Sequence, residues 1–542
     1  MTVKMQPPNI DQYPPLATPG IQKYFPGGIR GDAGIVTLFL FGAILIGFIS
    51  VLVLNRGVFT YMLDDPYIHL AVAEELAKSG HYGVNPVEVS APCSSPLWPF
   101  LMVPFARLPG FTLVPLILST AVAFITALLA VGRVRKLLPP KADDRSGAML
   151  RAAAVIGFLL ATNAIGLVFT GMEHSLQVLL AVLVAEGMLR LAEQSPPGKW
   201  FYLAVVIGPW VCYENMALSL AALILCFALG RRRQAILLGV TTIAGLALFS
   251  GYLLSMSLSP IPASITAKST FVGESPIVAI LKNLKNSINL GRGTIVALGV
   301  ALLVGMALAW RGERAWRIAA ACLALAGLLH LVAGAYGWVN RYEIYILAAL
   351  IWGLAAITGR ILKDAQIHPS RRLGWALLPL VPIIGFPYLF GLVVLPLAAN
   401  NIYEQQYQMH RFAVDYWGKP VAVNDLGYVG FRNDQYVLDL WGLASPLALR
   451  ARMNHEDPTW MNVLSEKHDV GLAMIYSAWF PDLPLGWKKV GVLRLSRKLI
   501  TPAGSEVSIY ATKPEFVPEI TQSLIRFRES LPQAGMLEIS VP

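Results

Sequence analysis

The chain has 542 residues, of which 56% are hydrophobic and 14% charged, with a mean hydropathy of +0.58 and a formal net charge of +11. That is too apolar for a soluble domain of this size and predicts a multispan membrane protein. The positive balance does not point to nucleic acid, because the basic residues fall in short loops between apolar runs and not on one soluble face.

Residues 1–33 are rich in Pro and Gly, carry Lys4, Lys23 and Arg30, and lack the contiguous apolar run of a cleavable signal. They read as a cytoplasmic tail. The first apolar run, Gly34 to Leu54, is long enough to cross roughly 30 Å of hydrocarbon. After a loop at 56–96, further spans are expected at Leu97 to Gly132 (broken by Pro104 and Pro109), Ala152 to Thr170, Ser175 to Leu191 and Trp200 to Val211. Others follow at Met216 to Leu229, Ala235 to Met256, Thr294 to Trp310, Ile318 to Val339, Ile344 to Ile361 and Trp375 to Ala398. Loops rich in Arg and Lys, such as Arg133 to Arg145, Arg231 to Arg233, Arg311 to Arg317 and Arg360 to Arg372, mark the cytoplasmic side. Placing them all on that side gives about eleven helices, an odd number that puts the tail from Ala399 to Pro542 outside.

That tail changes texture. Short strands are predicted at Val421 to Val423, Tyr436 to Leu440, Val470 to Tyr476, Val490 to Leu495 and Val507 to Ala511, with a helix over Pro458 to Lys467. The expected fold class is therefore an α-helical multispan membrane protein, its membrane module at 34–398, with a C-terminal extracytoplasmic α/β domain at 399–542. No internal repeat is visible, which gives repeat-built transporters no support. Cys93, Cys212, Cys226 and Cys322 show neither zinc nor disulfide spacing.

The most informative stretch is LDDPYIHLAVAEELAKSGHYGVNPVEV, where Asp64 and Asp65 stand side by side just beyond the first span. Carboxylates close to hydrocarbon are costly and call for a functional reading. Pro66 suits a first helical turn, Asp65 suits an N-cap, and Ile68, Val72 and Leu76 form an apolar stripe, so an amphipathic helix along the membrane surface is expected. The plain alternative is that Asp65 only caps and Asp64 is solvated.

The pattern DDPYIHLAVAEELAKSGHYGVNP followed by SSPLW resembles the first periplasmic loop of GT-C superfamily glycosyltransferases, especially bacterial relatives of mycobacterial arabinofuranosyltransferases. Thr170-Gly171-Met172-Glu173, Ser259-Pro260-Ile261-Pro262 leading to Lys268, Asn340-Arg341-Tyr342, and the tail segments NDLGYVGF and VLDLWGLASPLALR resemble later elements in the same order. One departure stands out: Tyr213-Glu214-Asn215 lies where relatives often carry Arg-Pro-Glu/Asp. The resemblance implies an inverting transfer of a sugar from a polyprenyl-phosphate donor to an envelope glycan, lipid or protein. It also implies a catalytic Asp in the first periplasmic loop, and a setting in the bilayer of the bacterial inner membrane with the site facing the periplasm.

Such chemistry needs a base for the acceptor hydroxyl, cations for the leaving phosphate and a groove for the prenyl chain. Asp64 is expected as the base and Asp65 as the cap and supporting carboxylate, with a divalent cation (Mg, Mn or Ca) on the pair left open. Lys268 and Arg341 are the candidate phosphate ligands; their alternative is snorkelling to the interface. Glu173, Glu214, His69 and Tyr342 are candidates for shaping the acceptor side. Many spans and a few outer charges are also compatible with a flippase for lipid-linked sugars, or with a non-catalytic scaffold of an envelope assembly.

Overall fold

The structure is a computed structural model and describes residues 31–140, 144–268, 275–289, 291–367, 374–375 and 385–540. Eight of its helices are long and apolar enough to cross a membrane. A ninth crossing is made if Arg145–Ala161 and Ala164–Thr170, bent by 42° at their junction, count as one. The bend has a local cause, since Asn163 sits there in the left-handed region at φ 47°. The two remaining predicted crossings are helices of 13 residues each, Lys199–Val211 and Met216–Ala228. At 1.5 Å per residue each reaches only about 20 Å, roughly 10 Å short of a hydrocarbon core. Part of the predicted last span, 376–384, lies outside the described residues; its remainder belongs to helix Phe386–Glu404.

Charge sorts the two ends of the bundle. Asp32, at the start of the first helix, pairs with Arg135 and with Arg151, while Glu186 takes Arg133 and Arg360 reaches Glu313. These basic clusters lie at the end away from the C-terminal domain. At the opposite end Arg56, just past the first helix, donates to the carbonyl of Pro532.

The last helix enters the C-terminal domain without a linker. Asn401 accepts from the Ile500 amide (2.7 Å) and donates to the Lys498 carbonyl (3.2 Å), and Glu404 accepts from the amide and hydroxyl of Ser496. The domain is built on six strands: β1 Val421–Val423, β2 Val437–Asp439, β3 Leu472–Ile475, β4 Lys488–Arg494, β5 Glu506–Ala511 and β6 Leu537–Ile539. Their order is β2-β1-β3-β5-β4-β6, with β1 parallel to β2 and β3 and the other pairs antiparallel.

Because side chains alternate along a strand, each strand serves two cores. Val421, Val423, Leu472 and Met474 join the core shared with the helical body, while Ala422, Ala473 and Ile475 face a smaller core with Ala448, Met461 and Leu464 of the covering helices. That is why β1 and β3 read as unbroken apolar runs.

The loop at 56–96 fastens this domain to the bundle. Asn85 donates its amide N–H to the Val437 carbonyl (3.0 Å) and accepts from the Val437 N–H (2.9 Å), and Glu88 accepts from the Tyr436 hydroxyl (2.6 Å). Helix Asp65–Ser79, expected along the membrane surface, is instead buried through its first two turns. It packs under the short helix Gly427–Gly430, with the Tyr67 and Tyr428 rings 3.9 Å apart. The stripe Ile68, Val72, Leu76 accounts for only one of its two covered faces.

Candidate functional site

The half-length helix pair leaves a recess in the bundle, and the turn that joins them forms part of its wall. The cavity there has a volume of about 540 Å³. Its walls are mostly apolar, from Met216, Ala217, Leu220, Leu329 and Val332, and its polar groups include Glu173, Glu214, His174, His330, Arg341 and Tyr342. Four residues predicted from sequence, Glu173, Glu214, Arg341 and Tyr342, thus meet in one chamber although 168 positions separate the first from the third.

Arg341 is presented by a strained loop. The helix Arg314–Ala333 ends six residues before the predicted Val339, and Gly337, Trp338, Val339 and Asn340 all have positive φ, between 41° and 80°. A left-handed backbone costs on the order of 1–2 kcal/mol per residue without glycine, and a β-branched residue such as Val339 is rarely found there. Two side-chain amides and a carboxylate hold the loop: Asn163 donates to the Asn340 carbonyl, Asn340 to the Pro387 carbonyl, and Glu343 accepts from the Gly337 N–H. Strain retained against such a cost is characteristic of working sites.

The guanidinium of Arg341 is only 2% exposed. Its Nη2 donates to Asp65 Oδ2 (2.6 Å) and to the Tyr342 hydroxyl (2.9 Å), while Nε and Nη1 have no hydrogen-bond partner among the described residues. A residue that lines the cavity thus keeps two buried, charged nitrogens without a partner among the described residues.

The adjacent carboxylates divide differently from the sequence expectation. Asp64, not Asp65, occupies the N-cap position, without capping through its side chain, and Asp65 opens the helix. Asp64 is buried and both its oxygens are engaged, Oδ2 by the Gly427 N–H (2.6 Å) and Oδ1 by the Tyr428 N–H (2.8 Å). Gly427 is required for that approach, since a Cβ there would lie 2.1 Å from the Asp64 carbonyl oxygen. Burial, with Asp425 nearby, holds the Asp64 carboxyl well above the usual carboxylate range in spite of these two bonds. Asp65 is more open, its side chain 24% exposed, and it meets Arg341.

Glu173 follows the left-handed turn at Gly171, whose φ is 67°. It is fully buried, neither oxygen has a hydrogen-bond partner among the described residues, and burial pushes its carboxyl up to about 7. His69 Nε2 and His174 Nδ1 each lie 4.0 Å from it, so both imidazoles approach Glu173. Glu214 accepts from the Cys212 thiol (2.7 Å), and its carbonyl takes the Tyr345 hydroxyl. Lys268 ends the short helix Ala263–Lys268, whose Ser264 and Ile265 line the cavity, but its side chain lies outside the described residues.

Among the described residues no three His, Cys, Asp or Glu side chains come together as a metal would require. The donor set of the Asp pair also argues against a shared cation, because Asp64 faces two N–H groups and Asp65 a guanidinium. Sequence reasoning missed His174, His330, Tyr345 and Ser94 as lining residues. His174, adjacent to Glu173, and Ser94, which opens the SSPLW motif, carried a local signal.

Residues 400–510 match a family model described as "Domain of unknown function (DUF8728)". No curated protein matches the chain.

Proposed function

We propose that this protein is an integral-membrane, inverting glycosyltransferase of the GT-C type with about eleven crossings, two of them half-length. In this reading it moves a sugar from a polyprenyl-phosphate donor to an envelope glycan, lipid or protein at the periplasmic face of a bacterial inner membrane. The observation that carries it is the buried Arg341, which lines a largely apolar cavity and whose Nε and Nη1 lack partners among the described residues. Leaving charged donors unmade costs at least about 1–3 kcal/mol each, which an anionic group entering the cavity would recover.

In the proposed reaction the acceptor oxygen bonds to the anomeric carbon as the carbon–oxygen bond to phosphate breaks. The electron pair leaves with the polyprenyl phosphate, and Arg341 stabilises that charge with Lys268 as the second cation. Asp65 takes the acceptor proton, replacing Asp64 in this role because Asp64 is buried and committed to two backbone N–H groups. Tyr342 and Asp65 fix the guanidinium plane, Glu173 and Glu214 line the same cavity to shape the acceptor side, and His69 backs Glu173. A volume of about 540 Å³ is in the range of small-ligand pockets, and the apolar side of the chamber suits the first prenyl units.

The test is transfer from a labelled polyprenyl-phosphate sugar by purified chain. Asp65→Asn and Arg341→Gln should each lose transfer by at least about a hundredfold, in the range of a lost general base or charge stabiliser. Wild-type rates in both variants refute the assignment. Passage of a lipid-linked sugar across liposomes without a new glycosidic bond would favour a flippase, and neither activity would favour a scaffold.

A further inference from the structure

A second cavity, of about 380 Å³, lies outside the chamber, where the C-terminal end of helix Asp65–Ser79, the linker before helix Val114–Leu137 and the C-terminal domain converge. Its charged lining is Lys78, Arg107, Arg432 and the single acid Glu74. Glu74 pairs with Lys78 at 3.4 Å, and neither Arg107 nor Arg432 has a carboxylate partner among the described residues. The cavity thus carries an excess of two positive charges, contributed by two separate segments, at the end of the bundle where the orientation rule makes cations scarce. Arg432 reaches it from a left-handed backbone at φ 53°, a conformation its side chain does not favour.

The apolar surroundings identify the source of the anion. Leu108 and Pro109 line the same cavity, and Phe105 and Leu108 are exposed at 37% and 51%. The linker then runs directly into the span-length segment Phe111–Leu137. A soluble anion has no use for exposed apolar residues beside its cations, whereas a phospholipid needs both: cations at the headgroup and apolar surface for the first methylenes. We propose that this cavity is a binding site for the phosphodiester headgroup of an anionic membrane lipid, which would tie the C-terminal domain to the bilayer through Arg432. The proposal rests on the reading that the apolar helices sit in a membrane.

The probes are phosphatidylglycerol and phosphatidylcholine, added to the full-length, detergent-solubilised chain and followed by native mass spectrometry. Phosphatidylglycerol should be retained at least about tenfold more tightly than phosphatidylcholine. With surface cations worth about a factor of five each, the double variant Arg107→Gln/Arg432→Asn should weaken it roughly thirtyfold, leaving phosphatidylcholine unchanged. Asn tolerates the left-handed backbone at 432, and Arg107→Lys should keep most of the binding. Equal retention of the two lipids, wild-type phosphatidylglycerol binding by the double variant, or full displacement by millimolar inorganic phosphate each overturns the proposal. Failure of the membrane reading itself would appear separately, as a chain that stays soluble without detergent.

Discussion

Replacing Asp64 by Ala removes the acceptor that the described residues offer to the amides of Gly427 and Tyr428, which bond to it at 2.6 and 2.8 Å. A buried amide left without a partner costs about 1–3 kcal/mol, so two cost about 2–6 kcal/mol. Relief from burying a carboxylate offsets part of that, for a net loss of about 2–4 kcal/mol in the contact between the first loop and the C-terminal domain. At 1.4 kcal/mol per factor of ten, the two amides should exchange with deuterium roughly thirty to several hundred times faster, with the strands β1 to β3 unaffected. Asp64→Asn keeps one acceptor and should fall between. The sign with pH follows from the raised carboxyl: the stabilisation it contributes is complete below its ordinary value of 3.8 and is lost as pH rises through the elevated one. Wild-type protection at these amides should therefore decline with rising pH, and Asp64→Asn should flatten the decline. Unchanged exchange at Gly427 and Tyr428 in Asp64→Ala would refute the anchoring role.

Arg341→Lys keeps the charge but loses the planar fork, so the Michaelis constant for a lipid-phosphate donor should rise on the order of tenfold, measured by steady-state transfer. Glu173, pushed up to about 7 by burial, contributes stability that is complete below its ordinary 4.5 and lost as pH rises through about 7. The wild-type melting temperature should thus fall across that interval relative to Glu173→Gln, and any limb near pH 7 in the activity profile should vanish in the variant. Val339→Gly relieves a left-handed valine, which offsets the entropy cost of glycine and the lost packing of a half-buried side chain, so thermal unfolding should shift by less than about 1 kcal/mol. A loss of about 2 kcal/mol or more there would contradict the strain attributed to the loop at 337–340.

Elements whose periodicity is local were legible in the sequence. The first helix is expected from Gly34 and runs Asp32–Leu54, and β1 is found at Val421–Val423 as predicted. Missed elements lacked such a signal. Strand β6, Leu537–Ile539, is three residues paired to β4 through non-local hydrogen bonds, and helix Arg314–Ala333 stops early because the backbone turns extended at Gly334, ahead of the left-handed run at 337–340. The site divided along the same line. Glu173, Glu214, Arg341 and Tyr342 were conspicuous as polar groups at the ends of apolar runs, and the structure brings these four to one cavity. The contacts of Asp64 were not legible, because they depend on Gly427, 363 residues away.

The bond between Asn85 and Val437 bears on what happens if the C-terminal domain is made alone. Strand β2 is the outermost in the sheet, and the side chain of Asn85 occupies both the N–H and the C=O that Val437 turns away from β1. One amide thus does what another strand would do, and closes the sheet against pairing with a second molecule. A fragment beginning near residue 399 would lack this stopper and expose an apolar, parallel-paired edge, so it should self-associate through β2 while the full chain does not.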